Sequence, residues 1–311
     1  MKHSSRRTSG ALAALLVLAS IALAACASSG SANNGSSPSA PPCPIKPINI
    51  VVTTNVWASV VDQLVGTCAD VTTVITNNTA DPHDFEPTAE TSATFADAQL
   101  VVMNGLGYDS WANKIIGSLG DSAPPVLNVG TAVGLAPGDN PHIWYSPDYV
   151  TKAAAAVTAE VKRVDAPASS YFDDQAATFA KALKPYFDKV ESIKQKYSGT
   201  KIAATETVFN YMAAATGLII TTPPGFTAAV ATDSEPTTRD VALFREQLST
   251  GVDKVLIYNS QTEGALPSQM RDVAQANNVP VVPITESLNP PDSTFQAWQI
   301  AQLDALTTAL G

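Results

Sequence analysis

Short β-branched runs alternate along this chain with longer stretches whose apolar residues recur every three or four positions. Ile48 to Thr53 has the composition of a buried strand, and Trp57 to Val65 has helical spacing that stops at Gly66. Val71 to Thr76, Leu100 to Met103 and Val126 to Val129 predict further strands. Thr88 to Ala98 and Asp109 to Leu119 predict the helices between them. Ser146 to Val164 opens a long helical region, with Pro147 suited to a first turn. Asp165-Ala166-Pro167 breaks it. Ser169 to Tyr197 is then helical for about 43 Å at 1.5 Å per residue. Pro185 falls inside that stretch and is expected to kink or split it.

After Ser198-Gly199 the alternation begins again. Lys201 to Thr205, Leu218 to Thr221, Lys254 to Tyr258 and Val279 to Ile284 read as strands. Thr207 to Thr216, Asp240 to Ser249, Ser268 to Asn277 and Thr294 to Leu310 read as helices. Pro223-Pro224-Gly225 opens what reads as an irregular loop past Asp233-Ser234-Glu235-Pro236. This pattern predicts an α/β fold with parallel sheets. The expected division is an α/β lobe over 48–165, a connecting helix over 166–198 and a second α/β lobe over 199–311. The long middle helix is expected to cross from one lobe to the other as a stiff spine. No sequence repeat relates the halves beyond the shared alternation.

The 311 residues, 45% hydrophobic, are enough for two such cores. A net charge of −10 argues against nucleic acid and against docking on anionic lipid, and it suits attraction of cations. The N-terminus reads as an export signal. Lys2, Arg6 and Arg7 precede an apolar run, Ala11 to Ala25, too short for a comfortable membrane span. Small residues in Leu23-Ala24-Ala25-Cys26 resemble a bacterial lipobox, with Cys26 the lipidated residue; a plain secretory peptide is the alternative. Removing residues 1–25 takes away three cations and no anions, which moves the net charge from −10 to −13. The Ser, Gly, Ala, Asn and Pro of the following stretch predict a flexible tether over 26–47. Cys43 and Cys68 remain, and outside the cytoplasm such a pair is expected to form a disulfide. Metal binding by that pair is the lesser reading, because its spacing is wrong for Cys-x-x-Cys.

The candidate chemistry centres on Asp81-Pro82-His83-Asp84-Phe85 and Asn140-Pro141-His142-Ile143-Trp144. Each reads Asp or Asn, Pro, His, any residue, aromatic. With His3 in the signal segment, both histidines of the processed chain sit in the same local pattern. The Pro before each His fixes one backbone torsion and pushes the residue before it toward an extended form, so the imidazole sits on a stiffened loop. Two ordinary loop histidines are the plain alternative. In open parallel sheets ligands bind beyond the carboxyl ends of the strands. His83 and His142 follow strands there, as do Glu206 after Lys201–Thr205 and Glu286 after the last strand. Two neutral imidazoles and two carboxylates balance one divalent cation. Tyr211 and Asn259 are candidates to support these ligands, and Trp57, Trp111, Trp144 and Trp298 are expected in the core.

The segments Asp-Pro-His-Asp-Phe-Glu-Pro-Thr at 81–88, Asn-Pro-His-Ile-Trp at 140–144, Ala-Thr-Glu-Thr-Val-Phe-Asn-Tyr at 204–211 and Ile-Thr-Glu-Ser at 284–287 carry a resemblance. With the lipobox and the long helix, the chain resembles the solute-binding lipoproteins of metal-ion ABC importers. These are the zinc, manganese and iron receptors sometimes called cluster A-I. The resemblance runs from about residue 48 to the end. It implies two lobes joined by one rigid helix, with small motion on binding and a metal site in the cleft. It also implies the ligand set His83, His142, Glu206 and Glu286. The partner implied is the membrane permease of an ABC importer, with the protein lipid-anchored on the extracytoplasmic face of a bacterial cell membrane. A monomer is expected.

Two positions depart from the family pattern. Zinc members usually carry His third and a His-rich loop, where this chain has Glu206 and no histidine between His83 and His142. Manganese and iron members usually carry Asp fourth, where this chain has Glu286. Two-oxygen binding by both Glu residues gives six donors and favours Mn²⁺; one-oxygen binding gives four and suits Zn²⁺. The expectation is one transported Mn²⁺ or Zn²⁺, manganese slightly ahead, with Fe²⁺ a further alternative. A metallohydrolase is the lesser reading, since there is no His-Glu-x-x-His and four protein ligands close a tetrahedral ion. A surface adhesin on the same fold is the other alternative.

Overall fold

The computed structural model describes residues 41–76, 85–232, 234–261 and 264–311. His83 and Cys26 lie outside them. In the first half the chain runs β1 (Ile48–Thr54), α1 (Asn55–Val65), β2 (Ala69–Ile75), α2 (Ala89–Ala96), β3 (Leu100–Met103), α3 (Ser110–Leu119), β4 (Val126–Asn128) and a short α4 (Val129–Ala132). Two long helices follow, α5 (Pro147–Val164) and α6 (Ser169–Tyr197). The second half runs β5 (Lys201–Ala204), α7 (Asn210–Thr216), β6 (Ile219–Ile220), α8 (Pro224–Val230), α9 (Thr238–Thr250), β7 (Leu256–Asn259), α10 (Ala265–Ala276), β8 (Val281–Ile284) and α11 (Phe295–Leu310).

The strands form two four-stranded sheets, β2-β1-β3-β4 and β6-β5-β7-β8, and every pairing is parallel. The two strand orders are the same. In each, the chain leaves its first strand for one side and returns to the other, which places a topological switch point between β1 and β3 and another between β5 and β7. The inner strands are continuous apolar runs, as strands covered on both faces must be: Leu100 to Met103 is buried throughout. Helix starts follow local chemistry. Ser146, Thr237 and Thr294 accept backbone N–H groups at the heads of α5, α9 and α11. Among the described residues, no helix is long and apolar enough to cross a membrane.

One hydrophobic core is shared by both halves. It joins β1 and α1 to α5, α6, α7 and α11, with Trp57, Trp144, Tyr186 and Trp298 among its largest members. The far face of each sheet has its own smaller cluster, around Phe95 and Trp111 in one and Phe226 and Phe244 in the other. Helix α6 is the axis of the shared core. Its buried residues Phe172, Gln175, Phe179, Leu183, Tyr186, Val190, Ile193 and Tyr197 recur every three or four positions, a single stripe along the whole helix.

Two expectations need correction. Pro185 does not split α6, which is unbroken from Ser169 to Tyr197. An interior proline costs about 3 kcal/mol. Leu183 and Tyr186 on either side of it are buried, and each such burial returns about 1.5–3 kcal/mol. The segment after Pro223 is not an irregular loop throughout: Pro224–Val230 is helical, with Pro224 in its first turn and the fully buried Phe226 packed on Phe244 at 4.8 Å between ring centroids. A proline there sacrifices no helical bond, and the aromatic contact holds the turn in place. The four expected tryptophans are all buried.

Cys43 and Cys68 are bonded to each other, so metal binding by that pair is set aside. The bridge fastens the start of the described chain to the turn after α1. Tyr171 Oη on α6 adds to this, accepting from Thr67 N at 2.9 Å and donating to Pro41 O at 3.2 Å. Replacing both cysteines by serine is expected to lower unfolding stability by about 3–4 kcal/mol, from loop-closure entropy over this span. Urea denaturation checks it; an unchanged midpoint with unchanged slope would contradict it.

Candidate functional site

The site is built where the ends of the two sheets face each other. On the first sheet the loop after β3 is organised by Asp109, which is fully buried. Its carboxylate accepts from Thr53 Oγ1 at 2.7 Å, Asn104 N at 2.7 Å and Gly105 N at 2.8 Å. Burial pushes the Asp109 carboxyl above its ordinary range, and these three donors oppose that shift. The turn needs left-handed backbone at Gly105 and Leu106, with φ of 78° and 58°. It delivers Tyr108 to the site. Asn104 then ties this loop to the next: its Oδ1 accepts from Trp57 Nε1 at 2.8 Å and its Nδ2 donates to Pro141 O at 3.0 Å.

His142 sits just before a single 3₁₀ turn, Ile143–Tyr145, and is 4% exposed. Asn140 sets its chemistry. The Asn140 Nδ2 donates to Thr207 O at 2.8 Å, which turns Oδ1 toward the imidazole. That oxygen accepts from His142 N at 3.0 Å and lies 2.7 Å from Nδ1. Nδ1 therefore carries a proton, and Nε2 is the nitrogen that faces Glu286; in the neutral ring Nε2 presents a lone pair. Tyr211 Oη donates to Asn140 O at 2.9 Å. Burial first, then Tyr149 and Asp139, push the Tyr211 hydroxyl up to about 12, so it remains a donor at neutral pH. Trp144 meets the His142 ring edge-on at 5.5 Å, and Tyr108 does so at 6.0 Å.

On the second sheet, Glu286 follows β8 in a loop whose backbone is held at every residue. Thr285 N donates to Gln302 Oε1 at 2.9 Å, and Thr285 O accepts from Tyr145 Oη at 2.7 Å. Glu286 N and Ser287 N both donate to Gln261 Oε1. The Glu286 carboxylate takes Asn259 Nδ2 on Oε1 at 2.7 Å and Tyr108 Oη on Oε2 at 3.0 Å. His142 Nε2 lies 3.3 Å from Oε2.

The structure thus brings together His142 and Glu286, from opposite halves. Glu206 is buried at the end of β5, one residue beyond Thr205, whose Oγ1 accepts from Asn259 N at 3.4 Å. Strand β7 separates β5 from β8, so Glu206 and Glu286 start about 10 Å apart along the sheet. Among the described residues no three His, Cys, Asp or Glu side chains form a metal-holding group. His83 lies outside the described residues. Asn259 was a candidate support from the sequence and does bind Glu286; Tyr211 acts one step removed, through Asn140. Sequence reasoning missed Tyr108, Asn140 and Gln261 as participants. Asn140 alone had a legible signal, its place in the repeated Pro-His pattern.

His142 Nε2 and Glu286 Oε2, 3.3 Å apart, attract only when a proton on Nε2 or a cation lies between them. Donors each about 2.1 Å from one ion and separated by that distance subtend about 104° at it, compatible with tetrahedral or octahedral coordination. The arrangement can hold a cation at the seam.

The family described as zinc-uptake complex component A, periplasmic, matches residues 50–309. The high-affinity zinc uptake system protein ZnuA of Bacillus subtilis is 24% identical over 174 residues, 50% of this chain and 54% of that protein. The manganese ABC transporter substrate-binding lipoprotein PsaA of Streptococcus mitis is 23% identical over 257 residues, 75% of this chain and 78% of that protein. The chain spans about half the length of the first curated relatives it matches. Among solved structures, the SBP FpvC of Pseudomonas aeruginosa in complex with Ni²⁺ aligns with a TM-score of 0.70 at 21% identity, over 85% of this chain and 97% of that one. That likeness establishes the fold.

The His142 tautomer can be checked directly. In ¹⁵N-histidine spectra of the metal-free protein, the neutral ring is expected to be protonated at Nδ1, and Asn140→Ala is expected to lose that preference. A wild-type ring protonated at Nε2 would refute the assignment.

Proposed function

This chain belongs to the family of periplasmic zinc-uptake complex component A, and we propose that it captures one divalent transition-metal ion outside the cytoplasm and delivers it to the membrane permease of an ABC importer. The observation that carries the reading is Nε2 of His142 facing a carboxylate oxygen of Glu286 at 3.3 Å, across the two halves. The ion is cargo. His142 Nε2 and Glu286 Oε2 are its proposed first two ligands, and Glu206 and His83 complete the set. Glu206 is supported by its position at the switch point of the second sheet, beside Asn259. Zn²⁺ and Mn²⁺ are the proposed cargoes, in keeping with relatives named for zinc uptake and for manganese transport.

The family and its relatives are uptake and binding proteins, not enzymes. The proposed division remains a signal peptide over 1–25, a tether over 26–47, lobes over 48–165 and 199–311, and the connecting helix over 166–198. It is supported by each four-stranded sheet falling within one lobe range. Lipid attachment at Cys26 is supported by the Leu-Ala-Ala-Cys sequence and by relatives named as lipoproteins.

Calorimetric titration of the metal-stripped protein tests this reading. Saturable one-to-one binding of Zn²⁺ or Mn²⁺ is expected, and His142→Ala or Glu286→Gln is expected to weaken it by more than about 100-fold, beyond the loss typical of an outer partner. Trp144 fluorescence is expected to change on binding, because its ring abuts His142. No saturable binding of either ion by the wild type would end the proposal.

A further inference from the structure

The junction between α5 and α6 holds an acid that the turn around it does not use. Asp165 is 6% exposed and stands just ahead of the 3₁₀ turn Ala166–Ala168. An aspartate there ordinarily caps the helical turn that follows, yet its side chain accepts no capping bond. Only its backbone serves the junction: N donates to Val161 O at 2.8 Å, and O accepts from Ala168 N at 3.1 Å. Carboxylate Oδ2 is buried without a hydrogen-bond partner, and none of the ion pairs among the described residues includes Asp165. The residue lines a cleft of about 360 Å³ together with Ile45, Lys46, Pro47, Asp70 and Gln99. That volume is in the range of small-molecule sites. The cleft lies at the amino ends of β1, β2 and β3, whereas Asn104 and Tyr108 follow the carboxyl end of β3.

We propose that this cleft binds a small aliphatic primary ammonium compound, with Asp165 as its counterion, apart from the His142–Glu286 seam. Charge sets the class. Asp70, Asp165 and Lys46 together leave one net negative charge on the lining, which a monovalent cation balances. A hard divalent ion takes six or more oxygen donors, and among the described residues no three His, Cys, Asp or Glu side chains gather to supply them. The walls favour an organic cation over a bare one. Ile45, Pro47 and Val164 offer aliphatic surface, which methylene groups bury favourably. Lys46 does not take the role itself: it is exposed and forms no ion pair with Asp165. Gln99 stiffens the lining, since its Oε1 accepts from Asn49 N at 3.0 Å and its N donates to Asn49 O at 2.8 Å. Burial pushes the Asp165 carboxyl above its ordinary range, and an ammonium beside it brings it back down.

The test titrates the full chain with butylammonium chloride and, at equal ionic strength, with butanol and with calcium chloride. Binding is followed by calorimetry and by the backbone amide spectra of residues 45–49 and 164–166. Saturable one-to-one binding of butylammonium is expected, with shifts at those amides and none at His142. Asp165→Asn is expected to weaken it at least about tenfold, the scale of a hydrogen bond to a charged group. Lys46→Ala removes a repelling charge from an exposed side chain and is expected to strengthen binding about threefold. That variant carries the test should Asp165→Asn fail to fold. Butanol bound as tightly as butylammonium would reveal only an apolar crevice and overturn the proposal. A response to calcium alone, no saturable response to the amine, or undiminished affinity in Asp165→Asn would overturn it as well. Zn²⁺ titration with and without butylammonium is expected to give the same affinity; a changed value would place the amine at the seam and refute a separate site.

Discussion

A histidine nitrogen and a carboxylate oxygen are held 3.3 Å apart, a contact that only a proton or a cation between them makes favourable, and the packing around them keeps them there. His142 comes from the first half of the chain and Glu286 from the second. Any relative drift of the two halves by an ångström or two would dissolve the contact, so the pair has meaning only if the halves are locked together. The shared core supplies that lock. Its apolar stripe on α6 runs the full length of the helix and packs against elements of both halves.

Polar ties across the seam sharpen what the core provides. Leu288 N donates to Asn55 Oδ1, Phe295 N donates to Ser59 Oγ at 2.9 Å, and Gln63 and Gln296 exchange side-chain bonds. Tyr145 Oη reaches Thr285 O, one residue from Glu286, and Asn140 Nδ2 reaches Thr207 O, one residue from Glu206. Residues next to the proposed ligands are therefore among those that stitch the halves together. Hydrogen bonds fix direction where hydrophobic packing fixes only proximity. This division of labour explains why so many amides and phenols crowd one small region.

The first sheet shows the cost of such precision. Asp109 is fully buried, and burial works against its charge, yet it serves a loop that has three successive residues, Gly105, Leu106 and Gly107, at positive φ. The carboxylate satisfies two backbone N–H groups that the turn would otherwise leave unpaired in the interior. What the strain and burial secure is the placement of Tyr108 against Glu286 and of Asn104 against Pro141.

Local chemistry was enough to place the strands of both sheets, most of the helices and the two ends of the helix from Ser169 to Tyr197, because apolar periodicity and turn residues act over a few positions. It also singled out His142 through its Pro-His setting, and Glu206 and Glu286 through their places at strand ends. It misjudged Pro185 and the segment after Pro223, where buried side chains from distant elements outweigh the local preference of proline. Strand order is invisible along a chain, so the two switch points could not be read, nor could the partners that meet there. Tyr108 and Gln261 look like ordinary loop residues until folding sets them beside Glu286. The sequence by itself determined which residues are able to donate to an ion; only the tertiary structure decided which nitrogen and which oxygen face each other, because tautomer and carboxylate orientation are set by neighbours far away in the chain.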